Sequence, residues 1–210
     1  MRCVSDAGIS AVIVSIVLCI GCATEARERQ IRPSQPARVA QPARIDRAEM
    51  QKPDIVIPRL EKKIHDLINA ERKKRGLAAL GWQESLNRIA QRYSQDMSRR
   101  NFFSHNDPEG NSFMDRYQEE GFACSLKIGN TTYLGAENIA QDNLYKSIQY
   151  HNGVPSYNWN TEDEIAASIV KGWMNSKAHR ENILTPYFKR QGIGLAISGD
   201  GKVYVTQNFC

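Results

Sequence analysis

Apolar residues recur at helical spacing soon after the first quarter of the chain. Leu60, Ile64, Leu67 and Ile68 fall on one face, and the basic run Arg72 to Arg75 followed by Gly76 supplies a last turn and a stop. A second helix is predicted from about Gln83 to Arg99, where Leu86, Ile89, Ala90, Tyr93 and Met97 draw a single stripe. Phe113, Met114 and Tyr117 predict a short third helix before Gly121. Thr161 with Glu164 forms a capping box that opens a fourth, whose Ile165, Ile169, Val170 and Trp173 face a core. The period then changes. Ile193, Leu195 and Ile197 alternate with small residues, Gly199-Asp200-Gly201 makes a turn, and Val203 and Val205 alternate again, so the chain closes on a β-hairpin. Helices first and strands later predict an α+β layered domain. Gly121 to Asn160 is the least regular stretch and reads as a long loop pinned by Tyr133, Tyr145, Tyr150, Tyr157 and Trp159. The alternative is that some of these rings wall a ligand groove.

The first residues follow a different pattern. Arg2 precedes an apolar stretch from Ala7 to Ile20, with Gly21-Cys22 directly after it, which reads as a secretory signal over 1–21. The stretch falls short of the roughly 20 apolar residues of a spanning helix, although an uncleaved anchor is the competing reading. Leu18-Cys19-Ile20-Gly21-Cys22 resembles the lipobox of prokaryotic lipoproteins, which implies that Cys22 becomes a lipid-modified first residue and anchors the chain to a membrane. From 22 to 57 the sequence mixes Arg, Gln and Ala with Pro33, Pro36, Pro42 and Pro53, and is expected to be a tether rather than a core-forming segment. That leaves 58–210 as the folded domain.

Composition narrows the function. The 210 residues are 41% hydrophobic and 24% charged, as in soluble globular domains. The net charge of +5 comes from scattered basic residues, so no nucleic-acid partner is expected. No His-Glu-x-x-His helix, Gly-x-Ser-x-Gly elbow or Gly-rich phosphate loop is present.

Three motifs remain: Asn101-Phe102-Phe103-Ser104-His105; Gly135-Ala136-Glu137-Asn138-Ile139-Ala140; and Gly172-Trp173-Met174-Asn175-Ser176 leading to His179-Arg180-Glu181-Asn182-Ile183-Leu184. Two imidazoles and a carboxylate on separate segments suit a divalent metal such as zinc, with a position left for water or ligand. The bland alternative is structural: imidazoles hydrogen-bonded to backbone or carboxylate, and a Glu137 carboxylate accepting backbone N–H groups. His65 and His151 carry no motif and are expected at the surface. Trp173 is expected in the core, and Asn182 is expected to satisfy loop backbone.

In that order, and followed by Gly192-Ile193-Gly194-Leu195-Ala196, these motifs resemble the CAP superfamily of cysteine-rich secretory, antigen-type and pathogenesis-related proteins, and within it the prokaryotic SCP-like extracellular branch. The resemblance runs from about Arg59 to Cys210. It implies an α-β-α sandwich with a central antiparallel sheet. It also implies a shallow cleft in which His105, Glu137 and His179 occupy the family's metal-site positions, with Asn138 and Ser176 beside them. Ser176 is a departure, since many eukaryotic members carry Glu there.

Cys124 and Cys210 are the thiols left beyond the N-terminal segment of an exported chain, and in an oxidising compartment they are expected to pair. A reactive cysteine with a nearby histidine is the alternative. Three functions follow. The leading one is a non-catalytic extracellular module binding a lipid, a small ligand, or an envelope or host protein. The second is a metal-dependent hydrolase using His105, Glu137 and His179. The third is a structural or adhesive surface protein.

Overall fold

The computed structural model describes residues 52–210. The expected signal at 1–21, the Cys22 anchor and most of the expected tether lie outside the described residues. The last residues assigned to the tether are docked. Val56 donates its N–H to Glu162 Oε1 at 3.0 Å, and Ile55 and Ile57 pack on the core.

The predicted helices form where the stripes place them: α1 over Ile57–Lys73, α2 over Glu84–Arg100, α3 over Phe113–Glu119 and α4 over Glu162–Asn175. Pro58 sits in the first turn of α1, where its missing N–H costs nothing. Thr161 and Glu164 make the predicted capping box, each satisfying the other's backbone N–H. Ser112 and Asp115 make a second one at α3. A fifth helix, α5, covers Lys177–Leu184.

Four strands form the central sheet: β1 (Gly81–Trp82), β4 (Ala136–Asn143), β7 (Arg190–Ile197) and β8 (Lys202–Phe209), in the order β1-β7-β8-β4. The pairs β7–β8 and β8–β4 are antiparallel, while the short β1 lies parallel to β7. The closing hairpin is therefore the centre of the sheet. Gly121–Asn160, expected to be a loop, is instead mostly strand. It contains the hairpin of β2 (Leu126–Ile128) and β3 (Thr131–Tyr133), then β4, then the hairpin of β5 (Tyr145–His151) and β6 (Val154–Trp159). Its aromatics stack on one another: Tyr157 lies on Trp159 with ring centroids 4.8 Å apart, and Tyr145 meets Tyr157 edge-on at 5.4 Å.

Alternation along β7 and β8 sends two sets of side chains to opposite faces. Ile193, Leu195, Val203, Val205 and Phe209 join Leu60, Ile64, Ile169, Trp173 and Ile183 in the main core beneath α1, α4 and α5. The other face carries α2 and α3 over Leu86, Ile89, Tyr93, Met97 and Tyr117. The result is the α-β-α sandwich that the motifs implied. Cys124 and Cys210 are disulfide-bonded with their Cα atoms 5.6 Å apart, which ties the segment before β2 to the end of β8.

Candidate functional site

Strand β4 is an edge of the sheet, and the motif residues gather along it. Glu137 points to the α2 face, where its side chain is 1% exposed. One carboxylate oxygen accepts from Arg116 Nη2 at 2.7 Å; the other lies 3.0 Å from His105 Nδ1. Arg116, itself buried, lies over the Tyr93 ring with 3.3 Å from its guanidinium carbon to the centroid. Its Nη1 donates to Asn111 O and its Nη2 also to His105 O. Arg116 thus binds the His105 loop and the Glu137 carboxylate together. No motif pointed to Arg116, because nothing in a sequence marks a buried arginine until its carboxylate is located.

Asn138 and His179 approach from the α5 side. Asn138 Nδ2 donates to His179 O at 3.2 Å, and Asn182 Nδ2 donates to Asn138 Oδ1 at 2.9 Å and to Glu137 O at 3.3 Å. Asn182 so satisfies backbone of an edge strand. Trp173, 1% exposed, does the same for Ile139 O through its indole N–H. Ser176 is the hinge residue between α4 and α5, with extended backbone and a half-buried side chain.

The two histidine rings come together beside β4, with centroids 6.3 Å apart. His105 is not a core imidazole, since its side chain is 51% exposed. Burial, and then the neighbouring His105, lower the pKa of His179, which favours the neutral ring. Glu137 is not free to join them on a metal, because both of its oxygens are engaged. Among the described residues no group of three or more His, Cys, Asp or Glu is close enough to hold one ion. What the residues do fit is a two-imidazole site. A carboxylate on Nδ1 fixes the ring and leaves Nε2 outward, the arrangement that orients metal-bound histidines.

His65, expected at the surface, is half-buried instead. Its Nδ1 lies 2.8 Å from Gln191 Nε2, and the ring meets Trp82 edge-on. His151 is exposed, as expected. No helix among the described residues is long and apolar enough to cross a membrane.

The pattern of the cysteine-rich secretory protein family, CAP, matches residues 65–209. The chain belongs to that family. A Bacillus subtilis relative, the uncharacterized protein YkwD, is 37% identical to this CAP chain over 139 residues, which is 66% of the chain and 43% of YkwD. The uncharacterized membrane protein YlbC of the same organism is 34% identical over 149 residues, covering 71% of this chain and 34% of its own. The chain thus spans less than half the length of either relative. Among solved structures, an extracellular protein of Bacillus anthracis containing an SCP domain superposes with a TM-score of 0.52 at 29% identity, over 73% of this chain and 40% of that one. The prokaryotic CAP branch is where this chain sits.

Proposed function

We propose that this CAP chain is an exported, non-catalytic binding module whose ligand site is the cleft between His105 and His179. One observation carries the reading: the single buried carboxylate of the cleft is committed to Arg116 and His105. The position where, by the family resemblance, many eukaryotic members carry a second acid holds Ser176. A carboxylate that serves as general base must be free to take a proton from water, and the cleft leaves no carboxylate unengaged for that role. The B. anthracis neighbour is described as extracellular, which supports export as read from the secretory pattern at 1–21; anchoring through Cys22 is a separate part of the proposal, resting on the sequence pattern alone. A lipid or small extracellular ligand, or an envelope or host protein, is the occupant in this reading.

The paired imidazoles favour a second feature, a divalent ion held by His105 Nε2 and His179. Such an ion would act as a Lewis acid toward a ligand oxygen. Glu137 would orient His105 and Asn138 would fix the backbone at His179.

The test uses the full chain with His105→Ala, His179→Ala and Ser176→Trp. Zinc titration by calorimetry is expected to give one site that both alanine variants lose. A lipid and small-metabolite panel is expected to give saturable binding that Ser176→Trp weakens by about tenfold or more. Turnover of ester or peptide libraries that disappears in His105→Ala would overturn the non-catalytic reading in favour of the hydrolase. No saturable binding of zinc or of any panel compound by the wild type would favour the structural or adhesive role, and binding unaffected by all three variants would place the ligand outside the histidine cleft.

A further inference from the structure

A second recess, separate from the histidine cleft, lies where the first half of α1 faces β1 and the start of α2. It encloses about 490 Å³ and is lined by Glu61, Lys62, His65, Trp82, Glu84 and Asn87. Trp82 is half-buried there, with its indole N–H donating to Glu84 Oε1 at 2.9 Å. Glu61, only 7% exposed, faces the same space. Its side-chain contact is one long bond, 3.3 Å from Asn87 Nδ2, supplemented by the backbone at Leu195. Among the described residues no cation pairs with it, although buried carboxylates are ordinarily paired. Lys62, the cation in the lining, is bonded to Asp66 at 2.7 Å, and Arg190 nearby is turned to Gln83.

His65 does not supply the missing charge either. Gln191 Nε2 donates to its Nδ1, and the direction of that bond is fixed from across the sheet. Gln207 Nε2 donates to Gln191 Oε1 at 2.6 Å, Asn138 Nδ2 donates to Gln207 Oε1 at 3.1 Å, and the same Asn138 nitrogen donates to His179 O. A row of three fully buried amides therefore presents an N–H to Nδ1. On the other side Asn69 Nδ2 lies 3.1 Å from Nε2, held by paired bonds between the Asn69 amide and the Leu80 backbone. The neutral ring therefore accepts at Nδ1 and carries its one proton on Nε2, and a second proton would have to go on Nδ1, against the Gln191 N–H.

The recess has a deep carboxylate, a second carboxylate at its rim, an indole wall and an imidazole kept uncharged. We propose that it is a binding site for a small organic cation, an ammonium group attached to an aromatic or short aliphatic body. The ammonium would sit against Glu61 and the Trp82 ring and the apolar body would fill the groove, which is the pairing that aromatic walls and carboxylates provide for alkylammonium groups. A bare divalent metal fits less well, because such ions require several oxygen ligands and the recess offers one deep carboxylate beside an indole. Burial, reinforced by Glu84 across the groove, pushes the Glu61 carboxyl up to about 7. Binding of a cation near neutral pH would then expel a proton from Glu61.

Benzyltrimethylammonium is the probe, with benzyl alcohol as its uncharged counterpart. It is titrated into the full chain and followed by the Trp82 indole N–H resonance and by calorimetry in two buffers of different ionisation enthalpy. Saturable one-to-one binding is expected at pH 6, with a shift at Trp82 and release of a proton. In Glu61→Gln the affinity is expected to fall by about tenfold or more and the proton release to vanish; Glu84→Gln, at the rim, is expected to lose less. Three results would overturn the site: no saturable shift at Trp82, equal binding by folded Glu61→Gln, or equal binding of benzyl alcohol. Should Glu61→Gln not fold, the buffer-dependent proton release of the wild type and the benzyl alcohol comparison decide the matter.

Discussion

At the scale of single residues, Glu137 answers two demands with one carboxylate. It neutralises a buried guanidinium and holds an exposed imidazole, so its loss is felt in both places. Glu137→Gln keeps the volume but leaves Arg116 without its counter-charge, and removing one partner of a buried pair typically costs about 3–5 kcal/mol. Urea unfolding is expected to show a loss of that order, and a loss below about 1 kcal/mol would mean that Arg116 is held adequately by Asn111 and His105 carbonyls alone. Glu61 gives a prediction of opposite character. Its folded pKa of about 7 lies above its ordinary value of 4.5, so the folded state holds a proton that the unfolded state releases. Its contribution is complete below about pH 4.5 and drains away as pH rises toward 7. His65 and His179, whose pKa values burial lowers, act the other way and favour the fold as pH rises through their range. Comparing melting temperatures of wild type and Glu61→Gln from pH 4.5 to 7.5 isolates the carboxyl: the wild type is expected to lose stability relative to the variant across that interval.

At the scale of elements, the packing of α2 on the sheet depends on two missing side chains. A methyl group on Gly192 would lie 2.0 Å from Asn87 N, and one on Gly194 2.0 Å from Gln91 N, both backbone atoms of α2. The helix approaches that closely only because β7 presents glycine to it. Gly194→Ala is expected to lower the melting temperature by several degrees, corresponding to at least the 1–3 kcal/mol or so of an overpacked core, with α2 displaced in a crystal structure of the variant. These elements also show what the sequence could and could not reveal. Four helices and the final hairpin were legible because Leu60 to Ile68, Leu86 to Met97, Phe113 to Tyr117, Ile165 to Trp173 and Ile193 to Val205 each repeat with the period of their element. β4 was not, because its buried positions include Glu137 and Asn138, polar residues that erase the alternation and are satisfied only by partners far along the chain. The β5–β6 hairpin did leave a signal: Asn152-Gly153, both at positive φ, is the dipeptide of a tight hairpin turn. In the cleft, His105 and His179 were legible as motif residues. The engagement of Glu137 was not, since it depends on Arg116.

At the scale of the molecule, long-range ties dominate. The Cys124–Cys210 disulfide joins residues 86 apart, and α1 is bonded to α4 through Arg59 and Glu162, 103 apart. Cys124→Ser with Cys210→Ser is expected to cost about 2–5 kcal/mol in unfolding free energy. The same loss should appear when wild type is unfolded with a thiol reductant, and equal midpoints with and without reductant would show the bond to be dispensable. The strand order β1-β7-β8-β4 has an effect on timing as well. Among the described strands β4 pairs only with β8, so although it begins 66 positions earlier in the chain (136 against 202), it has no strand to join until β8 arrives. A polypeptide emerging amino-terminus first would carry its helices and its outer strand without a sheet to pack on until the strand at 202–209 came free. Closure of the central sheet is therefore a late event in folding, waiting on the pairing of β4 with β8.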